Sequence, residues 1–433
     1  MAGDLIITGG RPLCGTVAVP AAKNSVLPLL AAALLCTGEV RLLRVPQLAD
    51  VENCLALLRG VGCAAGWQGA DAVVSGAPCR CTLGPEAARM RASILFCAPL
   101  LARLGRAETL LPGGCRIGAR PIDLHLAGLE QMGVRQTMQG ERLVLTAPSG
   151  LHGAEITLRF PSVGATETLL LAAALAQGET VLHGAAREPE IADLAAFLNR
   201  CGGRVQGAGS STLRVQGVRR LAGCSFAPMA DRIAASTYAC ACAAAGGRVE
   251  LAGCGPELYA PVLEILEQMG CAVERTEKSA VVSRFGRLYG AGRVFTGAYP
   301  ALATDAAPLL AAAMLCAEGG SSIEDVIFER RFGCAAGFAA LGARVKVTGR
   351  TLEIEPGGPL RGTVLAAPDL RGGAALAVAA LAAQGTSRLT HTELLDRGYA
   401  GFAQNLALLG VQIARETPCG GGRVKKRTSK TQI

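Results

Sequence analysis

The chain has 433 residues, of which 50% are hydrophobic and 18% are charged. That composition excludes an intrinsically disordered protein, which has low hydrophobicity and a high charge content. At about 100–200 residues per domain, the length predicts two or three domains. The apolar runs are shorter than the ~18–20 residues that span a bilayer, and the N-terminus lacks the pattern of a signal peptide, so we expect a cytoplasmic protein without membrane insertion.

The formal net charge is +9, and more than half of this excess lies in a basic C-terminal tail, residues 421–433. We expect this tail to be disordered and predict no nucleic-acid partner. The 17 cysteines are scattered through apolar segments without a Cys-x-x-Cys pair, which is typical of buried thiols in a reducing compartment. The four histidines are far apart in the sequence, so we predict no metal site.

An internal repeat organises the chain. Six apolar helical segments each end in a glycine, and these glycines recur every 68 to 72 residues. Each stands where a helix end needs a residue that tolerates positive φ, and a short strand follows it. In chain order the closing glycines are Gly62, Gly133, Gly202, Gly270, Gly342 and Gly410.

A second helical segment precedes each of these and is apolar on every side. Such a helix is buried all round, whereas the glycine-terminated helix is amphipathic and covers a sheet. The pattern predicts α/β repeats in the order strand, buried helix, strand, amphipathic helix, strand. Six units exceed one core, so we predict two similar domains of three repeats with a cleft between them; a continuous solenoid is the alternative. The predicted buried helices are residues 26–36, 92–104, 168–176, 233–244, 307–317 and 374–383.

Polar residues stand where these buried helices begin. Ser162, Asp231 and Asp369 suit helix capping, because their side chains can accept hydrogen bonds from the first-turn N–H groups. Cations are harder to explain there, because a positive charge at the positive end of a helix is unfavourable. The cations at these positions are Lys23, Arg91, Arg232 and Arg371. They predict a phosphate or carboxylate site in which helix N-termini and basic side chains bind an anion.

A Gly/Pro-rich loop, residues 111–121, interrupts the repeat pattern. It contains Cys115 close to Arg116 and Arg120. Its glycines make it a candidate lid, and the arginines favour the thiolate form of the cysteine. We therefore predict that Cys115 takes part in catalysis.

Seven short motifs, in order from the N-terminus to about residue 413, resemble those of the enolpyruvyl transferase family. They are Lys23-Asn24, residues 112–121, residues 161–166, residues 185–190, Asp231-Arg232-Ile233, Asp369-Leu370-Arg371 and residues 396–399. The resemblance implies two inside-out α/β barrels, with buried helices inside and sheets outside. The first strand of the chain would join the second domain, so that residues 22–229 form one domain and residues 1–21 with 230–420 form the other.

The Pro-Gly-Gly-Cys loop is similar to that of the family branch that acts on UDP-N-acetylglucosamine. The resemblance implies transfer of the enolpyruvyl group of phosphoenolpyruvate to the 3-hydroxyl of that sugar, with release of phosphate and without a cofactor. Lys23, Arg120 and Arg397 would hold the phosphoenolpyruvate anion. Asp305 would take the hydroxyl proton, and Cys115 would protonate C3 or form an adduct at C2. Asn24, Arg91, Ser162, Val163, Gly164, Asp305 and Ile327 would line the nucleotide-sugar site, and Pro121, Asp231, Arg232, Asp369 and Arg371 are further substrate-binding candidates.

The second half departs from the family pattern at several positions. Ala234 and Ala400 stand where the family has Glu, Leu394 replaces a His, and Ala307 lies where a Gln usually follows the Thr-Asp motif. Three activities therefore stay open: the transferase that opens peptidoglycan synthesis, a weak or regulatory copy that binds nucleotide sugar, and an enolpyruvyl transferase for another hydroxyl acceptor. The sequence also leaves the oligomeric state open.

Overall fold

The computed structural model describes residues 3–113, 117–118 and 121–416. Cys115, Arg116 and Arg120 of the predicted loop, together with the predicted tail of residues 421–433, lie outside this described part. Within it, every helix is too short or too polar to cross a lipid bilayer.

Two separate apolar cores define two domains. The core of the first domain is built from buried residues between 26 and 221, and that of the second domain from residues 5–17 together with 233–411. Two such cores exclude the continuous solenoid, in which each unit packs only on its neighbours. The boundaries of the domains stay a prediction: we propose crossings at 21–22 and 229–230, because Ala21 and Ala230 pair in an antiparallel bridge there.

Strands and helices alternate along the chain, and five short 3-10 helices join them within the described residues. The elements are β1 (Asp4–Thr8), β2 (Leu13–Ala18), α1 (Lys23–Ala33), β3 (Val40–Leu42), α2 (Ala49–Gly60), β4 (Ala64–Gln68), β5 (Asp71–Ser75), α3 (Cys97–Leu104), β6 (Arg106–Leu110), α4 (Asp123–Gln131), β7 (Arg135–Gln139), β8 (Arg142–Thr146), β9 (Glu155–Thr157), α5 (Val163–Ala173), β10 (Glu179–His183), α6 (Pro189–Arg200), β11 (Val205–Gln206), β12 (Thr212–Gln216), β13 (Ser225–Phe226), α7 (Arg232–Ala245), β14 (Gly247–Ala252), α8 (Ala260–Gln268), β15 (Ala272–Arg275), β16 (Ser279–Arg284), β17 (Gly292–Phe295), α9 (Ala307–Met314), β18 (Ser321–Glu324), α10 (Ala335–Ala340), β19 (Arg344–Thr348), β20 (Thr351–Glu355), β21 (Val364–Ala366), α11 (Leu370–Ala382), β22 (Thr386–Thr390), α12 (Phe402–Leu408) and β23 (Gln412–Glu416). The 3-10 helices are Pro85–Arg89, Arg91–Phe96, Pro256–Tyr259, Thr304–Ala306 and Thr392–Arg397.

Three sheets surround each core in the described residues. Their strand orders are β13-β3-β5-β4, β6-β8-β7 and β11-β12-β10-β9 in the first domain, and β15-β16-β14-β2, β17-β18-β20-β19 and β21-β22-β1-β23 in the second. Two strands have exchanged domains: β2 runs parallel to β14 with Gly15 opposite Val249, and β13 runs parallel to β3 with Ser225 opposite Arg41. The first strands of the first and fourth repeats therefore complete each other's sheets.

The apolar helices lie inside, as the absence of a polar face predicts. In the second domain α7, α9 and α11 pack against one another, and all eight residues of α9 are buried. In the first domain α3 packs on α5, and the 3-10 helix before α3 contacts both α1 and α5. The predicted class, two similar inside-out α/β domains, is thus confirmed.

The helix-closing glycines behave as the repeat predicts. All six have positive φ, from 88° at Gly410 to 104° at Gly62. An L side chain rarely adopts this conformation, so glycine ends the helix and turns the chain into the next strand.

The structure adds one strand to the predicted repeat. After each amphipathic helix except the last, the chain forms two antiparallel strands, such as β4–β5, β7–β8 and β19–β20. Their tight turns use Gly69, Gly140 and Gly349, whose φ values are 63°, 60° and 62°. The predicted helix of residues 92–104 begins as the 3-10 helix Arg91–Phe96 and is α-helical from Cys97.

Candidate active site

A cavity of about 600 Å³ lies between the domains and is lined by residues of both. This volume is within the usual range of small-molecule sites, about 300–1,000 Å³. The first residues of α1, α5 and α7 contribute to its wall, as does the first turn of α11. The predicted site residues that line it are Lys23, Asn24, Arg91, Pro121, Ser162, Val163, Gly164, Arg232, Asp305, Ile327, Asp369, Arg371 and Arg397.

Three predicted site residues are placed differently. Asp231 is not among the lining residues and caps α7: its Oδ1 accepts hydrogen bonds from the N–H groups of Ile233 and Ala234, both at 2.9 Å. Cys115 and Arg120 lie outside the described residues. Nearby, the carbonyl of Ile117 accepts a 2.9 Å hydrogen bond from the N–H of Arg330, so the described part of the loop contacts the second domain.

Asp50 joins a cation of each domain. Lys23 Nζ lies 2.6 Å from Asp50 Oδ2, and Arg397 Nε donates to Asp50 Oδ1 at 2.9 Å. Asp50 stands in the first turn of α2, where the helix dipole favours a carboxylate. Burial raises the pKa of Asp50, but Lys23 and Arg397 outweigh it and hold the pKa below its ordinary value. One buried carboxylate thus holds two cations close together, which leaves positive charge in excess for an anionic ligand.

A second ion pair, between Arg232 and Glu190, lies on the wall of the cavity. Arg232 begins α7, Glu190 lies in the first turn of α6, and Arg232 Nε donates to Glu190 Oε1 at 2.9 Å. Two more carboxyls stand close to this pair. Burial, then the charges of Glu190 and Glu188, raise the pKa of Glu167 well above its ordinary value, and burial also raises the pKa of Glu188. A protonated carboxyl can donate a hydrogen bond, so this wall suits hydroxyl and carbonyl groups alike.

Asp305 accepts hydrogen bonds from two arginines. Arg331 Nη2 donates to its Oδ1, and Arg371 Nη2 donates to its Oδ2 at 3.2 Å. Burial raises the pKa of Asp305. The charges of Arg371 and Arg331 lower it by more than burial raises it, so the pKa lies well below its usual range. In this arrangement Asp305 is ionised and is a weak base.

The buried carboxylate of Asp325 holds together the segments that contain Asp305 and Ile327. Asp325 Oδ1 accepts hydrogen bonds from the N–H groups of Ile327 at 2.8 Å and Phe328 at 2.9 Å. The hydroxyl of Thr304 donates to Asp325 Oδ2. Because Thr304 directly precedes Asp305, one side chain fixes both segments.

A backbone carbonyl and a neutral imidazole lie on the wall near Arg91. Arg91 Nη2 donates to the carbonyl of Pro121 at 2.5 Å, and His125 Nδ1 lies 2.8 Å from Thr168 Oγ1. Burial, then the charge of Arg91, lower the pKa of His125 to about 3, so its imidazole is neutral. A Cβ on Gly164 would lie 3.0 Å from His125 Cε1, so a side chain there would press on the ring.

Several lining residues have no role predicted from the sequence, including Asp50, Glu190, Arg331 and His125. From the sequence we expect a ligand to neutralise the cations at helix starts, whereas in the structure Lys23, Arg232 and Arg371 already pair with carboxylates of the chain. The sequence feature that could have identified Asp50 and Glu190 is the acidic first turn of the amphipathic helices α2 and α6. In the structure both turns face the same cavity.

The arrangement of possible metal ligands among the described residues can be compared with the needs of a metal site. In residues 3–113, 117–118 and 121–416, no group of three or more His, Cys, Asp or Glu side chains is arranged to hold a metal ion.

Relatives of known name span nearly the whole chain. A protein named UDP-N-acetylglucosamine 1-carboxyvinyltransferase from Nitratidesulfovibrio vulgaris strain Hildenborough is 43% identical over 418 residues, which cover 95% of this chain and 99% of that protein. Proteins of the same name from Gluconobacter oxydans and Acidiphilium cryptum are 42% and 43% identical, over 95% and 94% of this chain and 98% of each relative.

Solved structures have the same architecture. The enolpyruvyl transferase NikO from Streptomyces tendae is 26% identical, with a TM-score of 0.85 over 96% of this chain and 100% of its own. EPSP synthase from Acinetobacter baumannii, at 20% identity and a TM-score of 0.74 over 96% of this chain and 100% of its own, shares the fold. The family model of EPSP synthase (3-phosphoshikimate 1-carboxyvinyltransferase) matches residues 7–406. Since that match covers most of the chain, the protein belongs to the EPSP synthase family of enolpyruvyl transferases.

Proposed function

We propose that the protein transfers the enolpyruvyl group of phosphoenolpyruvate to the 3-hydroxyl of UDP-N-acetylglucosamine and releases phosphate. The names of the relatives at 41–43% identity support this reaction. The observation that carries the proposal is a cavity that is lined jointly by Lys23 and Asn24 of the first domain and by Asp305 and Arg397 of the second.

Phosphoenolpyruvate carries a phosphate and a carboxylate, so its site needs several cations. Lys23 and Arg397 supply two of them, held together by Asp50. Arg371 supplies a third beside Asp305. Arg120, on the loop outside the described residues, is proposed to complete the set. Arg91 and the N-terminal end of α5, with Ser162, Val163 and Gly164, are proposed to bind the nucleotide sugar through positive potential and free N–H groups.

The reaction joins the sugar oxygen to C2 while C3 gains a proton, which gives a tetrahedral intermediate. C3 then loses a proton, the bond from C2 to the phosphate oxygen breaks, and the enol ether and free phosphate result. Cys115 is proposed to supply the proton to C3 or to form an adduct at C2. Because Arg331 and Arg371 hold the pKa of Asp305 low, it would take the hydroxyl proton only as C3 protonation makes C2 electrophilic. The cations stabilise the negative charge of the departing phosphate.

The test is phosphate release by the purified full chain, with mass spectrometry of the sugar product. We expect release only with both substrates, and at least a ~100-fold loss in Cys115→Ala. Cys14→Ala, which changes an exposed cysteine, is the matched control. Binding of the nucleotide sugar without phosphate release would instead support the regulatory copy, and release with a different acceptor would support another transferase.

A covalent probe tests the loop cysteine separately. The epoxide antibiotic fosfomycin should label wild type at one site, and the adduct should be absent in Cys115→Ala and retained in Cys14→Ala. An unmodified wild-type mass after prolonged incubation would contradict a reactive Cys115.

We further propose that the protein acts in the cytoplasm, at the first committed step of peptidoglycan synthesis, and so affects cell shape and division. Its proposed substrates are both intracellular metabolites, which supports that location. Depletion in a growing cell should lower the pool of enolpyruvylated UDP-sugar before cell shape changes, and fractionation should recover the protein with cytoplasmic enzymes.

A further inference from the structure

Two cysteines outside the cavity lie side by side in the first domain. The sulfur atoms of Cys201 and Cys224 are 3.2 Å apart. Cys201 directly follows α6 and is 2% exposed, whereas Cys224 directly precedes β13 and is partly exposed. A third thiol, Cys36, adjoins Cys201 and is 1% exposed. Cys36 lies beyond the C-terminal end of α1, a helix that is about 16 Å long and whose first residue lines the cavity.

The backbone around this pair is fixed on both sides. The N–H of Ala222 donates to the carbonyl of Cys201 at 2.8 Å, and the N–H of Arg41 donates to the carbonyl of Cys224 at 2.9 Å. A disulfide needs sulfur atoms about 2.05 Å apart. The remaining approach of about 1.2 Å is within the reach of side-chain rotation on a backbone that keeps its hydrogen bonds.

We propose that Cys201 and Cys224 form a thiol-oxidation site that closes to an intrachain disulfide. The oxidant is a small-molecule disulfide. The thiolate of Cys224 attacks one of its sulfur atoms and releases one small thiol, and the thiolate of Cys201 then attacks the Cys224 sulfur and releases the second. Two protein thiols are oxidised, one small disulfide is reduced to two thiols, and the protons of the protein thiols pass to the leaving thiolates.

Exposure decides which sulfur reacts first. A small disulfide can reach the partly exposed Cys224, but Cys201 is covered. Burial and the neighbouring Cys201 raise the pKa of Cys224 to about 12, against a smaller effect of Arg200. The hydrogen bond with Cys36, and then burial, also raise the pKa of Cys201. Since only the thiolate attacks, the reaction is slow at neutral pH and accelerates as the pH rises. The pair therefore stays reduced in a reducing compartment and closes when the thiol pool becomes oxidised.

The bond would tie the end of α6 to the strand that leads into a domain crossing. It closes a loop of residues 202–223, which contains β11 and β12, and it lies shortly before Ala230 at the proposed crossing. Closing such a loop restricts the unfolded chain, so we expect the oxidised first domain to unfold at a higher temperature. This site is independent of the proposed transferase reaction.

The experiment incubates the reduced full chain with oxidised glutathione, blocks free thiols by alkylation and digests it with trypsin without a reductant. Cleavage after arginine places Cys201 in fragment 201–204 and Cys224 in fragment 221–232. We expect a cross-linked species of these two fragments that disappears on reduction. It should be absent in Cys201→Ser and Cys224→Ser and present in Cys14→Ser and Cys36→Ser. Its rate of formation should rise about tenfold between pH 7 and pH 8, because the thiolate fraction does.

Three results would overturn the proposal: both cysteines alkylated to the same extent before and after oxidation, Cys224 stopped at the mixed disulfide with glutathione, or Cys201 linked to Cys36. The melting temperature gives a second readout. Oxidation should raise the Tm of wild type and leave that of the double variant Cys201→Ser/Cys224→Ser unchanged. An equal Tm response in both proteins would contradict the site, whatever the transferase activity of either one.

Discussion

The ionisation of charged side chains in the cavity is set by oppositely charged partners from other segments of the chain. Asp305 shows this most clearly, because each of its oxygens accepts a hydrogen bond from a different arginine. A carboxylate whose pKa is held so far below its usual value does not take up a proton from solvent near neutral pH. Its proposed role therefore depends on charge that develops during the reaction.

Asp305→Asn should lower kcat/KM for phosphate release by at least ~100-fold, because an amide cannot accept the hydroxyl proton. The amide oxygen still accepts a hydrogen bond, so the fold should be retained. Steady-state phosphate release measures the effect, and Glu274→Gln, which removes an exposed carboxylate of the same domain, is the control. Activity of Asp305→Asn within threefold of wild type would exclude the proton-accepting role.

Asp50→Asn should raise KM for phosphoenolpyruvate about tenfold, or ~1.4 kcal/mol, with a smaller change in kcat. The reason is that Lys23 and Arg397 would lose the charge that holds them together. Glu52→Gln in the same helix removes an exposed carboxylate and should leave KM unchanged. If the two variants have the same KM, Asp50 does not position the cations.

Asp50 should also make stability depend on pH. Its pKa is lower in the folded protein than the ordinary 3.8. Its contribution is therefore present above that value and is lost as the pH falls through the folded pKa. Urea unfolding should show wild type more stable than Asp50→Asn at pH 7, with the difference shrinking below about pH 4. A difference that grows on acidification would contradict this assignment.

The sequence alone predicts the cations of the site but not their partners. Lys23, Arg232 and Arg371 are visible because a cation at a helix N-terminus violates a local rule. Asp50 and Glu190 obey that rule, since an acidic residue is favoured in a first turn, so their local sequence gives only a weak signal and does not indicate a partner. Arg331 lies in a segment outside the repeat junctions and reaches Asp305 only through the tertiary fold.

At the scale of elements, glycines account for the helix ends that the repeat predicts and for hairpins that it does not predict. The glycines that close the amphipathic helices recur regularly and have positive φ, so the helix ends follow from the sequence. Three of the hairpins after them, β4–β5, β7–β8 and β19–β20, also turn at glycines, but the two strands of each hairpin are short and adjacent. The sequence pattern therefore predicts one strand where the structure has two. The two strands are recognised only by their antiparallel pairing.

Gly342→Ala should lower the free energy of unfolding of the second domain by about 1 kcal/mol. Its φ is 97° and a Cβ there would meet nothing within 4 Å, so backbone strain is the sole cost. Gly358→Ala is the matched control, since that position has open space and no positive φ. Denaturant unfolding measures both. Equal stabilities of the two variants would show that the helix end tolerates an L side chain.

Across the whole molecule, buried ion pairs connect the two domains through the cavity. Arg397 contacts Asp50, and Arg232 contacts Glu190. Both pairs combine a residue of the second domain with one of the first. The proposed substrates would compete for the same charges, so we expect ligand binding to change the relative position of the domains.

Arg232→Ala should increase the radius of gyration of the substrate-free protein, because it removes one of these pairs and leaves Glu190 uncompensated. Small-angle X-ray scattering measures the change. Arg388→Ala is the control, since Arg388 pairs with Asp4 within one sheet of the second domain. A radius of gyration equal to that of the control would mean that the pair does not hold the domains together.

The position of β1 and β2 in sheets of the second domain has a consequence for synthesis on the ribosome. These strands are among the first residues to emerge, yet their partners β14, β22 and β23 are translated only at residues 247–252, 386–390 and 412–416. The last strand of the first domain, β13, ends at Phe226, so this domain is translated before these partners and can fold while the N-terminal strands are unpaired. An unpaired strand edge invites aggregation, so the yield of this protein should depend on translation speed and on chaperones that shield the first twenty or so residues.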